Sequence, residues 1–486
     1  MPVDGTEGSG PDPAYLNHQQ ARRAHWDGVA RQMDDWQGLG GAYHRRLEQV
    51  LRFLVPPGQR ILELGCGRGD LLAALQPALG VGIDFSGGMI ERARKRHPHL
   101  RFLQLDVHEM DLHEEFDTII LSDLVNDLWD VQKVFERLGV LCTPKTRLIL
   151  NSYSRLWEQP LALAEKLGLA KPTLRQNWLT VEDVVGLLGL AGFEVIRTWH
   201  DILWPLPTPI LSDFLNRFVV KVWPFGLLAM TNFVIGRPRP AGSSVGEPPR
   251  VSVIVPVRNE AGNIPELFQR LPAMGAETEM VFVEGHSRDD SYHVVESEMA
   301  RHPERRCQLL RQAGEGKGDA VRLGFSKATG DMLMILDADL TVPPEDLPRF
   351  YAALTSGNGD LVNGVRLVYP IEGEAMRFLN LVGNKLFTLA FSWILGQPVK
   401  DTLCGTKALW KRDYEAIAAN RGHFGDFDPF GDFDLLFGAA KLNMKFVDMP
   451  VRYRKRTYGA TNIRRWSDGW LLARMAILGA LRLKFV

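Results

Sequence analysis

RPRPAGSSVGEPPRVSVIVPV, residues 237–257, is where the chain changes from one folding unit to another. Its first part is Pro, Gly, Ser and Arg without apolar periodicity, which is linker chemistry. Its second part, VSVIVPV (251–257), is apolar and β-branched, which predicts a buried strand. A buried strand that begins directly after a linker opens a new domain. We assign the linker to residues 239–249, between one domain at 21–238 and a second at 250–465. A chain of 486 residues has room for both.

Working outward, both flanks alternate strand and helix. Upstream, RILELG (60–65), GVGID (80–84), LRFLQLD (100–106), FDTIILSD (116–123), RLILNSYS (147–154), FEVIRTWH (193–200) and TNFVIGRP (231–238) predict strands. DLLAAL, MIERARKR, VQKVFERLGVL and VEDVVGLLGLAG predict helices between them. Downstream, strands are predicted at 251–257, 279–284, 306–311 and 331–336. Such alternation predicts a doubly wound, mostly parallel α/β sheet in each half.

Composition narrows the function classes. The chain is 45% hydrophobic and 24% charged with a net charge of -1, so no basic field recruits nucleic acid. Cys66, Cys142, Cys307 and Cys404 lie far apart, which suits neither a zinc site nor a disulfide framework and points to a reducing, cytoplasmic setting. Residues 1–20 read as a disordered tail without the apolar core of a signal peptide. Residues 209–230, 376–397 and 466–486 are apolar but interrupted by charge. They predict amphipathic helices, either packed on a domain or lying on the inner face of a membrane, the last forming a C-terminal helix.

Glu63-Leu64-Gly65-Cys66-Gly67-Arg68-Gly69 lies between a predicted strand and helix. Its glycines permit a tight turn and close approach of a ligand to the backbone. Asp84 ends the next strand, where an acid accepts hydrogen bonds from ribose hydroxyls. Asp106 ends the third, where an acid can face an adenine amino group. A dinucleotide-binding dehydrogenase competes as a reading, but its fingerprint places the third glycine later.

The set ELGCGRGD, GIDFS, LQLDV and FDTIILSD resembles class I S-adenosylmethionine-dependent methyltransferases over residues 40–238. The resemblance implies a Rossmann-like sheet in which Gly65, Gly67 and Gly69 wrap the methionine moiety of S-adenosyl-L-methionine. Asp84 would hold the ribose, Asp106 and Val107 would flank the adenine, and Glu63 and Asp123 would complete the cofactor contacts. A sulfonium methyl is already activated, so the protein must align an acceptor and sometimes remove its proton. Ser122, Asp123, Asn126 and Asp127 are the candidates for that proton, with Asn151, Tyr153 and Trp157 as pocket lining.

In the second half, VSVIVPVRNEAGNI (251–264) is a strand whose polar end opens where ligands of α/β sheets gather. EMVFVEGHSRDDS (279–291) repeats the form, and GEGKGDAVRLGFSKATGDMLMILDADL (314–340) ends in Asp337-Ala338-Asp339. Two acids flanking one residue at a strand end can hold a hard divalent cation, with a substrate diphosphate completing the shell.

This set resembles family 2 glycosyltransferases of the GT-A fold over residues 250–465. The resemblance implies a nucleotide-sugar donor, Mg2+ or Mn2+ on Asp337 and Asp339, and inversion at the anomeric carbon. Pro256, Asn259, Glu260, Glu284, Asp289, Lys317 and Asp337 would bind the donor. RFLNLVGNKL (377–386), DTLCGTKAL (401–409), GDFDLL (431–436) and VRYRKRTYGATN (451–462) narrow it toward the polyprenyl-phosphate glycosyltransferases. Arg452, Arg454, Lys455 and Arg456 would then bind phosphate of the acceptor, a polyprenyl phosphate or glycolipid, or of the donor. A lipid phosphate needs no strong base. A saccharide acceptor makes Asp432 or Asp434 the base. Gly405-Thr406-Lys407 stands where that group has Gly-Phe-Arg. The first half then reads either as a working methyltransferase or as a regulatory module beside an active glycosyltransferase.

Overall fold

A computed structural model describes residues 13–32, 41–168, 173–240, 246–366, 368, 378–425, 431–456, 458 and 465–486. The chain divides into two compact units, Met1–Arg239 and Pro240–Val486.

The first unit carries seven strands, β1 (Arg60–Leu64), β2 (Leu79–Asp84), β3 (Arg101–Gln104), β4 (Phe116–Ser122), β5 (Cys142–Tyr153), β6 (Phe193–Asp201) and β7 (Thr231–Pro238). They lie side by side in the order β3-β2-β1-β4-β5-β7-β6. β1 to β5 run parallel, and β7 is antiparallel to both β5 and β6. Strands covered on both faces need apolar side chains on both. Alternate residues accordingly feed two cores: Leu62, Leu64, Ile119 and Leu121 on one side, Ile61, Ile120, Ile149 and Phe233 on the other.

The second unit carries β8 (Val251–Val257), β9 (Thr278–Glu284), β10 (Arg306–Arg311), β11 (Met332–Ile335), β12 (Leu361–Val365), β13 (Lys407–Trp410) and β14 (Phe446–Pro450). Their order is β10-β9-β8-β11-β13-β12-β14. β8 to β11 run parallel and β13 is antiparallel to β11 and β12. Both sheets reverse their strand order beside their first strand, so each has its crevice at the carboxyl ends of the strands there.

The structure differs from the sequence reading in three places. A helix, Pro13–Gln32, begins inside the stretch read as a disordered tail. Residues 1–12 of that tail, and 241–245 of the linker, lie outside the described residues. Residues 209–230 form no single amphipathic helix but a short one, Leu211–Arg217, followed by turns at Val219–Lys221 and Phe225–Leu228. Pro224 cannot extend a helix, and Lys221 is drawn inward to the buried Asp201, which Arg46 also pairs. β12, β13 and β14 escaped the sequence reading: they are short strands without a ligand-site motif at their ends, and β13 holds the fully buried Lys407.

Helices at Phe378–Leu395 and Arg465–Gly479 take the other two apolar stretches. No helix among the described residues is long and apolar enough to cross a membrane.

Candidate functional site

In the first unit the turn after β1 is built on left-handed glycines. Gly65, Gly67 and Gly69 have φ of 71°, 51° and 73°. A side chain on Gly69 would run into Phe102 and one on Gly65 into Leu124, whereas Gly67 faces open space. Asp84 locks this turn: its Oδ2 accepts from Gly67 N at 3.0 Å and its Oδ1 from Ser86 N at 2.9 Å. Burial pushes its carboxyl up to about 6 despite those bonds. Glu63 is buried behind the turn, its carboxyl pushed up to about 8 by burial, and its Oε2 has no hydrogen-bond partner.

A pocket opens there, lined by Gly65, Asp84, Asp106 and Val107 among others. The structure thus brings four of the expected cofactor residues onto one surface. Asp123 does not line that cavity; it sits beside it with Tyr43 and Asn151.

The helix Pro13–Gln32, which sequence reasoning missed, forms one wall of the cavity with Tyr15, His18, Gln19 and Arg22. Gln19 Nε2 donates to Asp106 Oδ2 at 2.7 Å, while His108 N donates to Oδ1 at 2.9 Å. Burial opposes the charge of Asp106, yet His108 and Gln19 hold its carboxyl well below the usual range. Arg22 pairs with Asp127, Trp26 Nε1 donates to the same carboxylate at 2.9 Å, and Asp27 accepts from Gly88 N at 3.1 Å. The available signal was Asp12-Pro13, a residue type favoured at helix N-caps directly before a proline.

In the second unit, the carboxyl ends of β8, β9 and β11 converge. Glu260 is buried, accepting from Asn263 Nδ2 at 2.7 Å and pairing with Arg456 at 3.2 Å. Burial outweighs Arg456 and pushes its carboxyl up to about 7. Asn259 holds a left-handed φ of 58° and accepts from Arg288 N at 2.7 Å. Glu284, at the end of β9, accepts from Ser287 N at 2.5 Å. Asp289 caps the same corner through Ser291 N at 3.1 Å and Ala261 N at 3.2 Å. Pro256 lies within β8, half-buried.

Lys317 opens a helix, Lys317–Lys327, and pairs with Asp337 at 2.5 Å. Burial works against its charge, but Asp337 and Asp432 hold the ammonium above its ordinary range. Asp339 pairs with Arg456 at 2.5 Å and accepts from Thr341 N at 3.1 Å. Gly405 closes tightly over the pair, since a side chain there would strike Lys317 and Asp337.

Asp432 and Asp434 begin one helix but part company. Asp432 turns to the buried Lys407 at 2.9 Å and adds to the field on Lys317. Asp434 turns to Arg421 at 2.8 Å, away from that cluster. The basic stretch also divides: Arg456 enters the acidic cluster, while Arg452, Arg454 and Lys455 stay exposed.

Residues 56–188 match the family model for a methyltransferase domain, and residues 252–416 match the model for glycosyl transferase family 2. The chain is similar to an S-adenosylmethionine-dependent methyltransferase structure from Mesorhizobium loti, at 21% identity over 41% of this chain and 100% of that one, with a TM-score of 0.32. It is also similar to magnesium protoporphyrin IX methyltransferase from Synechocystis PCC 6803 with bound SAM, at 16% identity over 47% of this chain and 100% of that one, with a TM-score of 0.32. The two family matches fall one in each unit, each beginning within five residues of its unit's first strand, so the chain is an enzyme that joins a methyltransferase domain to a family 2 glycosyltransferase domain.

Proposed function

We propose that the first unit transfers a methyl group from S-adenosyl-L-methionine, and that the second transfers a sugar from a nucleotide-sugar donor, with inversion, to a polyprenyl phosphate or glycolipid at a membrane surface. The cofactor reading rests on the cavity that joins Gly65, Asp84, Asp106 and Val107. Gly67 leaves room for a ligand against the backbone, and the orphaned Oε2 of Glu63 behind it lacks a donor. Asp84 would take the ribose hydroxyls and Asp106, already oriented by His108, the adenine edge.

For the second unit, Asp337 and Asp339 fit a hard divalent ion, being two carboxylates at one strand end with Lys317 and Arg456 as exchangeable counter-charges. Such an ion, Mg2+ or Mn2+, would neutralise charge on the leaving diphosphate. Lys317 and Arg456 then have phosphate oxygens to turn to. Glu260, Asn259, Glu284 and Asp289 shape the nucleoside end, and the exposed Arg452, Arg454 and Lys455 would meet an acceptor phosphate.

The observation that favours a phosphate acceptor over a saccharide is the pairing of both candidate bases. Asp432 is held by Lys407 and Asp434 by Arg421, which suits an acceptor oxygen that is already an anion. Exposed Leu386, Leu389, Trp470 and Ile477 on the two long helices and Leu481 just after the second, with Lys484 stacked over Trp393, suit an interfacial position. The test is transfer of labelled sugar from a donor panel to polyprenyl phosphate, with Asp337→Asn and Asp339→Asn as controls. Donor consumption with label only on free saccharides would replace the lipid reading.

A further inference from the structure

The carboxylates at the site edge of the first sheet are nearly all spoken for. Asp127 has Arg22 and Trp26, Asp106 has His108 and Gln19, Asp84 has two backbone N–H groups, and Asp201 has Arg46 and Lys221. Asp123 differs. It follows β4 directly, at the crevice where the strand order reverses between β1 and β4. Its neighbour Leu124 lines the cofactor cavity. Both of its hydrogen bonds come from neutral groups and both end on one oxygen: Tyr43 OH donates to Oδ1 at 2.6 Å and Asn151 Nδ2 donates to Oδ1 at 2.5 Å. Thr231 Oγ1 donates in turn to Tyr43 OH at 3.2 Å. Oδ2 accepts from none of the described residues, and Asp123 is only half-buried.

The backbone holds Asp123 there at a cost. Its φ of 56° is left-handed, a conformation that disfavours side chains other than glycine and gathers at functional sites. The strand ends assemble the rest. Asn151 is paired with Ser122 across β4 and β5, and Tyr153 with Thr231 across β5 and β7.

We propose that Asp123 is the proton acceptor of a methyl-acceptor site at the carboxyl ends of β4 and β5, and that the group methylated there is a hydroxyl. This rests on the methyl-transfer reading and deepens it. The acceptor oxygen forms a bond to the methyl carbon as the carbon–sulfur bond breaks, its electron pair passing to sulfur and leaving a neutral thioether. The hydroxyl proton passes to Oδ2 of Asp123. The carboxylate itself decides between acceptor classes. An anionic acceptor is repelled by it. An ammonium acceptor is trapped by it as an ion pair, protonated and not nucleophilic. A neutral hydroxyl is attracted as a donor and loses its proton as the new bond forms. The titratable groups that face Asp123 are Tyr43 and Tyr153, both held neutral by burial and by the Asp123 charge. Burial sets the Asp123 carboxyl at about 6, so it is ionised at neutral pH and poised to take a proton.

The full chain tests this with methyl-labelled cofactor and three acceptor sets: a prenyl-phosphate-linked hexose with p-nitrophenyl glycosides, alkylamines, and fatty acids. The expected product is a base-stable methyl ether in the first set. Asp123→Asn keeps an oxygen for Tyr43 and removes only the charge. It should lower kcat at least ~100-fold, erase the acidic limb of the pH profile near 6, and leave S-adenosylhomocysteine binding within twofold by calorimetry. Label in amines or carboxylates, no ether despite normal S-adenosylhomocysteine binding, or full activity in Asp123→Asn would overturn the inference while the methyltransferase reading stood. Absence of S-adenosylhomocysteine binding would instead remove the reading beneath it.

Discussion

Asp337 and Asp339 are each matched to one cation, and the prediction at residue scale follows from that pairing. Replacing either with Asn takes one counter-charge from Lys317 or Arg456 and removes a ligand for the divalent ion. Sugar transfer should drop ~100-fold or more, while calorimetric binding of S-adenosylhomocysteine stays unchanged. Loss of both would show that the two sites are coupled. Glu63 supplies a pH prediction. Its folded carboxyl, pushed up to about 8, keeps a proton that the unfolded chain releases near the ordinary carboxylate range. The folded state therefore binds more protons across that window, and its stability falls as pH rises toward 8. Thermal unfolding between pH 5 and 9 should show this slope for the first unit, and Glu63→Gln should flatten it. The acidic and glycine residues of the first site were readable because each ends or closely follows a strand that periodicity marks. Tyr43 was not, because it belongs to a helix, Gly41–Leu54, far upstream of Asp123, and carries no motif.

Elements explain where the sequence stopped being legible. Seven strands in the first unit and four in the second could be read from pattern. β12, β13 and β14 are short, and the buried Lys407 in β13 disguises a core position as a surface one until its partner Asp432 is seen. Breaking such a pair leaves a charge without compensation. Lys407→Ala should destabilise the second unit by about 3–5 kcal/mol, read as a lower Tm. The helix Pro13–Gln32 was masked by its polar composition, being anchored in large part through Gln19, Arg22 and Asp27. Arg22→Ala should release that wall from Asp127 and weaken S-adenosylhomocysteine binding about 10-fold, an effect of roughly 1.4 kcal/mol. Unchanged affinity would show that the wall takes no part in holding the cofactor. The helices Phe378–Leu395 and Arg465–Gly479 should carry membrane affinity: Leu386→Ser with Leu389→Ser should reduce co-sedimentation with anionic vesicles at low salt.

On the scale of the whole molecule, the boundary at Arg239 and Pro240 separates two cores, each complete with its own sheet and its own switch-point crevice. Each unit buries its strands on both faces, so neither needs the other to exclude water from its core. Joining two transferases in one chain places a methyl donor site and a sugar donor site at a fixed ratio, whatever their acceptors. The linker and the apolar strand after it made this division visible in sequence, whereas the acceptors were not, since they depend on side chains gathered from distant strands. The most direct measurement is transfer by the intact chain from a panel of labelled nucleotide sugars, with Mn2+ and polyprenyl phosphate. Label in the lipid fraction, lost in Asp339→Asn, is the predicted result. No donor consumed by the intact chain with any nucleotide sugar would contradict it.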